Sequence, residues 1–143
     1  MVSILAIINT AIFIFLALLH FYWAAGGKWA YAGTAPEWLM NFAEQKPTQM
    51  VIATIVVGVG LLGFATTTTL LNDRLFGLEI PANLIQKATI IIGLIFLARA
   101  IGDFYYCGFF RKIKEGLFAE RDRAIYTPLC LYLGLSTLLI AVN

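Results

Sequence analysis

The sequence predicts an all-α integral membrane protein built as a four-helix bundle. Of its 143 residues, 61% are hydrophobic and only 13% are charged, and the mean hydropathy is +0.86. A soluble domain has about half apolar and roughly a quarter charged residues. This chain therefore carries more apolar surface than one small core can hide from water. Four long apolar runs account for most of its length.

Crossing a hydrocarbon core of about 30 Å takes about 20 helical residues, and the four apolar runs are near this length or longer. The first run ends in the aromatic cluster Phe21–Trp23, which is typical of a headgroup boundary. The third is expected to begin just after Pro81. The fourth has Thr127 as its expected N-cap and Pro128 in its first turn. We expect spans at residues 2–25, 50–71, 82–104 and 126–142, all within one domain of residues 1–143.

The first run is expected to remain attached as a span. The tripeptide Ala30-Tyr31-Ala32 looks like a signal-peptidase site, but a signal peptide has a positive n-region and an apolar stretch of about 7 to 15 residues. Residues 1–9 contain no Lys or Arg, and the apolar run is longer than such a stretch.

The charges that flank the spans predict the orientation in the membrane. Four spans place residues 26–49 and 105–125 on one side, and both termini with residues 72–81 on the other. The first side carries the basic residues Lys28, Lys46, Arg111, Lys112, Lys114, Arg121 and Arg123. The other side carries Arg74, with Lys87 just inside the third span. Because cytoplasmic loops carry the excess of Lys and Arg, we expect loops 26–49 and 105–125 to be cytoplasmic and both termini to lie outside.

Composition narrows the functional classes. Ten basic residues against eight acidic ones do not indicate a nucleic-acid partner. Cys107 and Cys130 lack the spacing of a zinc site or a disulfide framework, and on a reducing side we expect them to be free thiols that fill apolar space. A single histidine excludes a haem with two histidine ligands. We therefore expect no metal and no cofactor.

Three ionisable residues lie where the spans meet the predicted cytoplasmic boundary. An ionisable group inside a span costs at least about 2.5 kcal/mol on insertion scales, so it needs a partner or a purpose. His20 is near the end of the first span, and Arg99 and Asp103 are near the end of the third. Arg99 and Asp103 are four residues apart and are expected to form a charge pair on one helix face, which Tyr106 extends.

This constellation predicts a proton-handling or anion-binding site, because imidazole titrates near neutral pH and guanidinium matches carboxylate or phosphate. The candidates for a catalytic role are His20 as proton carrier and Asp103 as the group that orients it. A purely structural interpretation stays open. In it, Arg99 and Asp103 form an ion pair that snorkels to the interface, and His20 bonds a carbonyl of a neighbouring helix.

Two further features also allow two interpretations. The aromatic and basic stretch at residues 104–114 is typical of a membrane surface and either contacts a lipid headgroup or only anchors the protein. The turn-rich residues 26–38 either cap a pocket or form an interfacial loop. Small-residue spacings such as Thr54 with Gly58 and Thr89 with Gly93 favour close helix packing, within one chain or between copies.

Four segments carry a family resemblance: Leu19-His20-Phe21-Tyr22-Trp23-Ala24-Ala25-Gly26-Gly27, Arg99-Ala100-Ile101-Gly102-Asp103-Phe104-Tyr105-Tyr106, Phe118-Ala119-Glu120-Arg121-Asp122 and Tyr126-Thr127-Pro128-Leu129-Cys130. With these segments the whole chain resembles a bacterial family of small four-span membrane proteins of unknown function. The resemblance implies a four-helix integral membrane fold, and with it we expect the chain in the inner membrane. It marks as motif positions His20, Arg99, Gly102, Asp103, Asp122, Tyr126 and Pro128. It implies no reaction.

We expect the protein to bind, or act on, a lipid or other amphiphile at a polar cluster on the cytoplasmic side. The expected ligand-binding residues are His20, Tyr22, Trp23, Arg99, Asp103, Tyr106, Asp122 and Tyr126. The expected partners are membrane lipid, an amphiphilic small molecule, and further copies of the chain or a membrane complex. Two alternatives stay open, an accessory subunit of a membrane complex and a small oligomeric transporter. A transporter usually keeps an ionisable residue near the bilayer midplane, and the second span has none.

Overall fold

The chain is all-helical in the computed structural model, which describes residues 2–72 and 81–142. The helices are α1 (Val2–Ala24), α2 (Glu37–Gln45), α3 (Pro47–Asn72), α4 (Ala82–Ile101), α5 (Leu117–Arg121) and α6 (Thr127–Val142), with a π-helical turn at Asp122–Tyr126 between α5 and α6. Four helical stretches are long and apolar enough to cross a membrane: Ser3–Ala24, Pro47–Leu70, Ala82–Ile101 and Leu117–Val142. The predicted all-α, multi-pass membrane fold is confirmed.

The long helices pack chiefly as two pairs, α1 with α3 and α4 with α6. An aromatic cluster joins the pairs: the ring centroid of Phe13 is 5.9 Å from that of Phe64 and 5.5 Å from that of Phe96. Many other apolar side chains of the spans are exposed, including Ile7 and Val56. Outward-facing apolar surface is what a bilayer solvates, so association of the helices depends on close packing and polar contacts.

Glycines bring α4 and α6 close together. A Cβ placed on Gly93 would lie 2.7 Å from the Leu138 side chain, and one on Gly134 would lie 2.7 Å from Leu97. In contrast, a Cβ on Gly60 of α3 would meet no described atom within 4 Å. The small residue at position 93 is therefore used within the chain, between α4 and α6.

A buried amide–hydroxyl cluster lies where α1 begins and α6 ends. The Asn9 Nδ2 donates to Ser136 Oγ at 2.9 Å and to Thr137 Oγ1 at 3.1 Å, and Ser136 Oγ donates back to Asn9 Oδ1 at 3.0 Å. The hydroxyls of Thr10 and Thr68 are 3.0 Å apart. Every one of these side chains is neutral, and the hydrogen bonds join α1 to α3 and to α6.

At the opposite end, the first loop (residues 25–46, which include α2) contacts the second loop (residues 102–116) and the start of the last helical stretch. The Trp38 and Tyr106 rings are 6.1 Å apart, and Arg121 donates to the backbone carbonyls of Ala30 and Ala32. Helix α2, which lies within the first loop, stops before Pro47 because the residue preceding a proline disfavours the helical conformation. The first loop therefore folds against the second loop and the start of the last helix.

Three predicted helix boundaries differ from the structure by three residues or more. The second span starts at Pro47, not at residue 50. The third span stops at Ile101, not at residue 104, because Gly102 adopts φ +95°, in the region that favours glycine. The last helix starts at Leu117 rather than residue 126, so Thr127 is inside it and is not an N-cap. Residues 73–80 of the predicted outside loop, which include Arg74, fall outside the described residues.

The π-helical turn lets the last helix pass Pro128. Proline has no N–H, so it interrupts the regular hydrogen-bond ladder of a helix. The backbone N–H of Thr127, just before it, donates to the carbonyl of Asp122, five residues back. Such π turns are rare and are frequent at functional sites, and this one includes the most buried carboxylate of the described chain.

Candidate functional site

The Asp122 carboxylate is the centre of a buried charged cluster at the loop end of the helices. Its side chain is 0% exposed. Oδ1 accepts from Arg99 Nη2 at 2.8 Å, and Oδ2 accepts from Arg111 Nη1 at 2.9 Å. Oδ2 also accepts from the Gly108 backbone N–H at 2.8 Å and the Thr127 hydroxyl at 2.9 Å. We refer to Arg99, Arg111, Gly108, Asp122 and Thr127 as the Asp122 cluster.

The Asp122 cluster carries more positive than negative charge, because two guanidinium groups share one carboxylate. The Arg111 side chain is only 9% exposed and that of Arg99 is 33% exposed. Each arginine also keeps a buried donor with no hydrogen-bond partner in the described protein: Nη1 of Arg99 and Nε of Arg111. Buried donors are nearly always satisfied in native proteins, so unsatisfied ones call for an explanation.

A tight turn between two glycines brings Arg111 to Asp122. Gly102 and Gly108 have φ +95° and +84°, and their backbones are in contact, so a Cβ on either would overlap the other arm of the turn. The Phe109 N–H donates to the Ala100 carbonyl at 2.9 Å, which closes the turn against the end of α4. The chain therefore leaves α4, folds back on it, and presents the Gly108 N–H and the Arg111 side chain to Asp122.

Asp103 stabilises this turn from its exposed tip. Its Oδ1 accepts the backbone N–H groups of Tyr105, Tyr106 and Cys107 at 2.9, 2.7 and 2.9 Å. A slight loss of hydration acts to raise the pKa of Asp103, but these hydrogen bonds outweigh it and hold the pKa below its usual range. The expected Arg99–Asp103 ion pair is therefore wrong, because Gly102 ends the helix before residue 103 and the carboxylate of Asp103 binds the turn instead.

His20 and its neighbours form a separate group on α1 and the first loop. His20 Nδ1 is 2.7 Å from the carbonyl oxygen of Leu16, one turn earlier on its own helix. The Trp23 Nε1 donates to the Trp29 carbonyl at 2.9 Å, and the Tyr22 hydroxyl accepts the Trp29 N–H at 3.4 Å. The carbonyl partner of His20 lies on α1 itself, not on a neighbouring helix. No hydrogen bond among the described residues joins His20 to Asp103, so the expected orienting contact is absent there.

The two remaining predicted ligand residues are aromatic, Tyr106 in the second loop and Tyr126 at the end of the π-helical turn. The Tyr106 ring meets the Tyr105 ring edge to face, with ring centroids 4.7 Å apart, and the Tyr126 ring centroid lies 6.3 Å from that of Phe118. Tyr106 lines a cavity of about 350 Å³ between the two loops, which also includes the exposed carboxylates Glu37 and Glu115. The structure thus joins Arg99 with Asp122 but distributes the other predicted residues among separate contacts.

A second cavity, of about 280 Å³, lies beside the Asp122 cluster. Its lining is Phe109, Arg111, Lys114, Arg123 and Thr127. Lys114 and Arg123 are exposed and form no ion pair in the described part of the chain. We refer to this space as the basic cavity. Its wall combines three cationic side chains, an aromatic ring and a hydroxyl, with no carboxylate among the lining residues described.

The sequence did not identify Arg111 as a partner of Asp122. The two residues are eleven positions apart across a loop, and no helical spacing relates them. The pair Gly102 and Gly108, which brackets an aspartate, was a usable signal, because glycine and aspartate are typical of tight turns. Among residues 2–72 and 81–142, no group of three or more His, Cys, Asp or Glu side chains is placed to hold a metal ion. Cys107 and Cys130 are free thiols.

Comparison with known proteins gives one match. The family described as "Protein of unknown function (DUF3995)" matches residues 13–137. This range includes every member of the Asp122 cluster and of the basic cavity. No curated protein and no solved structure matches the chain.

Proposed function

This chain belongs to the DUF3995 family, whose function is unknown, and we propose that it binds the anionic headgroup of a membrane lipid or other amphiphile at the Asp122 cluster and the basic cavity beside it. The observation that carries the proposal is the charge imbalance of that cluster. Two largely buried guanidinium groups face one carboxylate, and each keeps an unpartnered donor. An anionic ligand beside the cluster supplies the missing negative charge.

Energetics supports a ligand at this position. Moving a charged group out of water costs several kcal/mol, and only good geometry with further hydrogen bonds offsets it. Asp122 satisfies both of its oxygens through four donors. Arg99 and Arg111 remain under-compensated, and guanidinium binds phosphate and carboxylate through paired N–H groups. A second anion therefore satisfies the cluster better than its own carboxylate does alone.

The position of the Asp122 cluster suits a headgroup. Arg99 is in the last turn of α4, and Thr127 lies in the helical stretch Leu117–Val142 that is long enough to span a membrane. The exposed rings of Phe109 and Phe110 lie in the loop between α4 and α5, which also carries Arg111. Aromatic side chains are enriched at membrane interfaces. We propose that this end faces the cytoplasm, since both of its loops carry the excess of Lys and Arg, with both termini outside.

Retained lipid provides the test. The full-length protein is purified from membranes in a mild detergent, and native mass spectrometry measures the bound small molecules. We compare wild type with Lys114→Gln/Arg123→Gln, which changes two exposed cations beside the cluster without touching Asp122. The matched control is Lys28→Gln/Lys46→Gln, which removes two exposed basic residues at the same end, outside the basic cavity.

We expect wild type and control to retain an anionic amphiphile, and the Lys114→Gln/Arg123→Gln variant to lose most of it. Equal retention in all three proteins, or retention of only uncharged or zwitterionic lipid by wild type, contradicts the proposal.

A further inference from the structure

We infer that the basic cavity recognises a phosphate monoester, the terminal phosphate of an amphiphile, in preference to a phosphodiester. The inference rests on the proposed function and adds the chemical class of the headgroup. It depends on the composition of the cavity wall, on the burial of Arg111 and on the size of the space. Each of these properties concerns the same five lining residues, Phe109, Arg111, Lys114, Arg123 and Thr127.

One lining residue of the basic cavity, Arg111, is a preorganised cation. Arg111 is about nine-tenths buried, and its Nη1 is fixed between Asp122 Oδ2 at 2.9 Å and the Gly108 carbonyl at 2.6 Å. These two contacts orient the guanidinium plane, while Nε is left without a partner. A guanidinium held in this way loses little conformational entropy when it binds an anion. Arg111 therefore distinguishes the cavity from a patch of surface lysines.

The rim of the basic cavity supplies two further positive charges. Lys114 and Arg123 are both exposed lining residues, and Asp122, which is bonded to Arg111, is not itself among the lining residues. A phosphate monoester carries a charge of about −1.5 to −2 near neutral pH, whereas a phosphodiester carries a single negative charge. The larger charge suits three cations opposed by one carboxylate.

The volume of the basic cavity suits a small headgroup. About 280 Å³ is at or below the lower end of the range for sites that enclose a drug-sized molecule. It accommodates a phosphate with a short attachment, whereas acyl chains must remain outside it. The loop cavity of about 350 Å³ differs in charge, because its ionisable lining residues are Glu37, Tyr106 and Glu115. Phosphate is therefore assigned to the basic cavity rather than to the loop cavity.

The test compares two lipids that differ in the headgroup. Full-length protein in detergent is titrated at about pH 7 with phosphatidic acid, a monoester, and with phosphatidylglycerol, a diester, of the same acyl length. Dissociation constants are measured by native mass spectrometry. Soluble glycerol 3-phosphate forms a third arm, which separates recognition of a lipid headgroup from recognition of a free phosphate. The Lys114→Gln/Arg123→Gln and Lys28→Gln/Lys46→Gln variants are titrated in parallel.

We expect wild type to bind phosphatidic acid about five- to tenfold more tightly than phosphatidylglycerol, the effect of about one extra charge in a partly screened site. The Lys114→Gln/Arg123→Gln variant should lose this preference, and the Lys28→Gln/Lys46→Gln control should keep it. Equal affinities for the two lipids overturn the inference and leave the proposed function standing. Binding of neither lipid overturns both. Glycerol 3-phosphate that binds as tightly as phosphatidic acid, and is lost in the same variant, supports phosphate recognition but overturns the membrane source.

Discussion

The two ends of the helix bundle differ in the charge of their buried polar groups and in how fully these groups are hydrogen-bonded. At one end, the amide–hydroxyl cluster of Asn9, Ser136 and Thr137 is neutral, and its members satisfy one another. At the other end, the Asp122 cluster is charged and leaves two guanidinium donors unpartnered. The neutral cluster holds helices together and needs nothing further. In the charged cluster, the hydrogen bonds of Asp122 are satisfied but those of the two arginines are not. We therefore assign ligand binding to that end.

The largest expected effect is on Asp122, because the charged end depends on one carboxylate. Asp122→Asn removes the counter-charge of two arginines and should lower the free energy of unfolding by about 3 kcal/mol. Detergent-based thermal or chemical unfolding measures it. Glu120→Gln changes an exposed acid on the same helical stretch and should stay within about 0.5 kcal/mol of wild type. Similar losses of unfolding free energy in both variants would show that the stability of the charged end does not depend chiefly on Asp122.

The next largest loss of stability is expected at the turn that places Arg111 beside Asp122. Gly108→Ala introduces both a left-handed alanine and a Cβ that overlaps Gly102, so we expect a loss of at least about 2 kcal/mol. Gly116→Ala is the matched control, because Gly116 has a similar φ of +96° with no described atom within 4 Å of its Cβ. It should cost about 1 kcal/mol through backbone strain alone. Equal losses in the two unfolding experiments would contradict the close approach of the turn.

A smaller effect is expected at the neutral end. Asn9→Ala removes the hub of the amide–hydroxyl cluster, but Ser136 keeps a hydrogen bond to the Tyr132 carbonyl at 2.7 Å. Interhelical hydrogen bonds in membranes contribute roughly 0.6 kcal/mol on average, so the unfolding free energy should fall by about 1 kcal/mol. Thr66→Ala, which removes only an exposed bond to the Leu62 carbonyl of its own helix, should change it less. A loss of unfolding free energy as large as that of Asp122→Asn would contradict the difference proposed between the neutral and the charged end.

The smallest effect is local and concerns Asp103. Its pKa is lowered in the folded protein, so the carboxylate stabilises the turn at neutral pH and loses this role as the pH falls below about 4. Hydrogen exchange should show protection of the Tyr105, Tyr106 and Cys107 amides that falls a few-fold on acidification, or in Asp103→Asn at neutral pH. Protection that is unchanged in the variant would mean that the carboxylate does not hold the turn.

Composition and the length of the apolar runs predicted the all-α membrane fold, because apolar runs near the length of a bilayer are a strong signal. They did not predict the helix ends. Gly102 ends α4 through a positive φ, and the π turn before Pro128 extends the last helix back to Leu117. Both depend on local backbone conformation, which an apolar pattern does not encode.

Arg99 was correctly singled out as a residue that needs a partner, and Asp122 was among the predicted site residues. Their pairing was not predicted, since Arg99 was expected to bind Asp103. The third member, Arg111, was counted among the charges that set the orientation and in the basic stretch at residues 104–114, but not as a partner of Asp122. Arg99, Arg111 and Asp122 lie on a helix, a loop and a π turn. Their contact depends on the tertiary fold, and sequence spacing does not predict it.

The most direct test of the central claim is ligand-induced stabilisation measured at both ends. Thermal unfolding is recorded in detergent with and without phosphatidic acid for wild type, Asn9→Ala and Lys114→Gln/Arg123→Gln. A ligand that binds the folded state raises its stability in proportion to the logarithm of ligand concentration over Kd. We predict equal upward shifts in midpoint for wild type and Asn9→Ala, and a much smaller shift for Lys114→Gln/Arg123→Gln. The same shift in all three proteins would contradict the assignment of binding to the charged end.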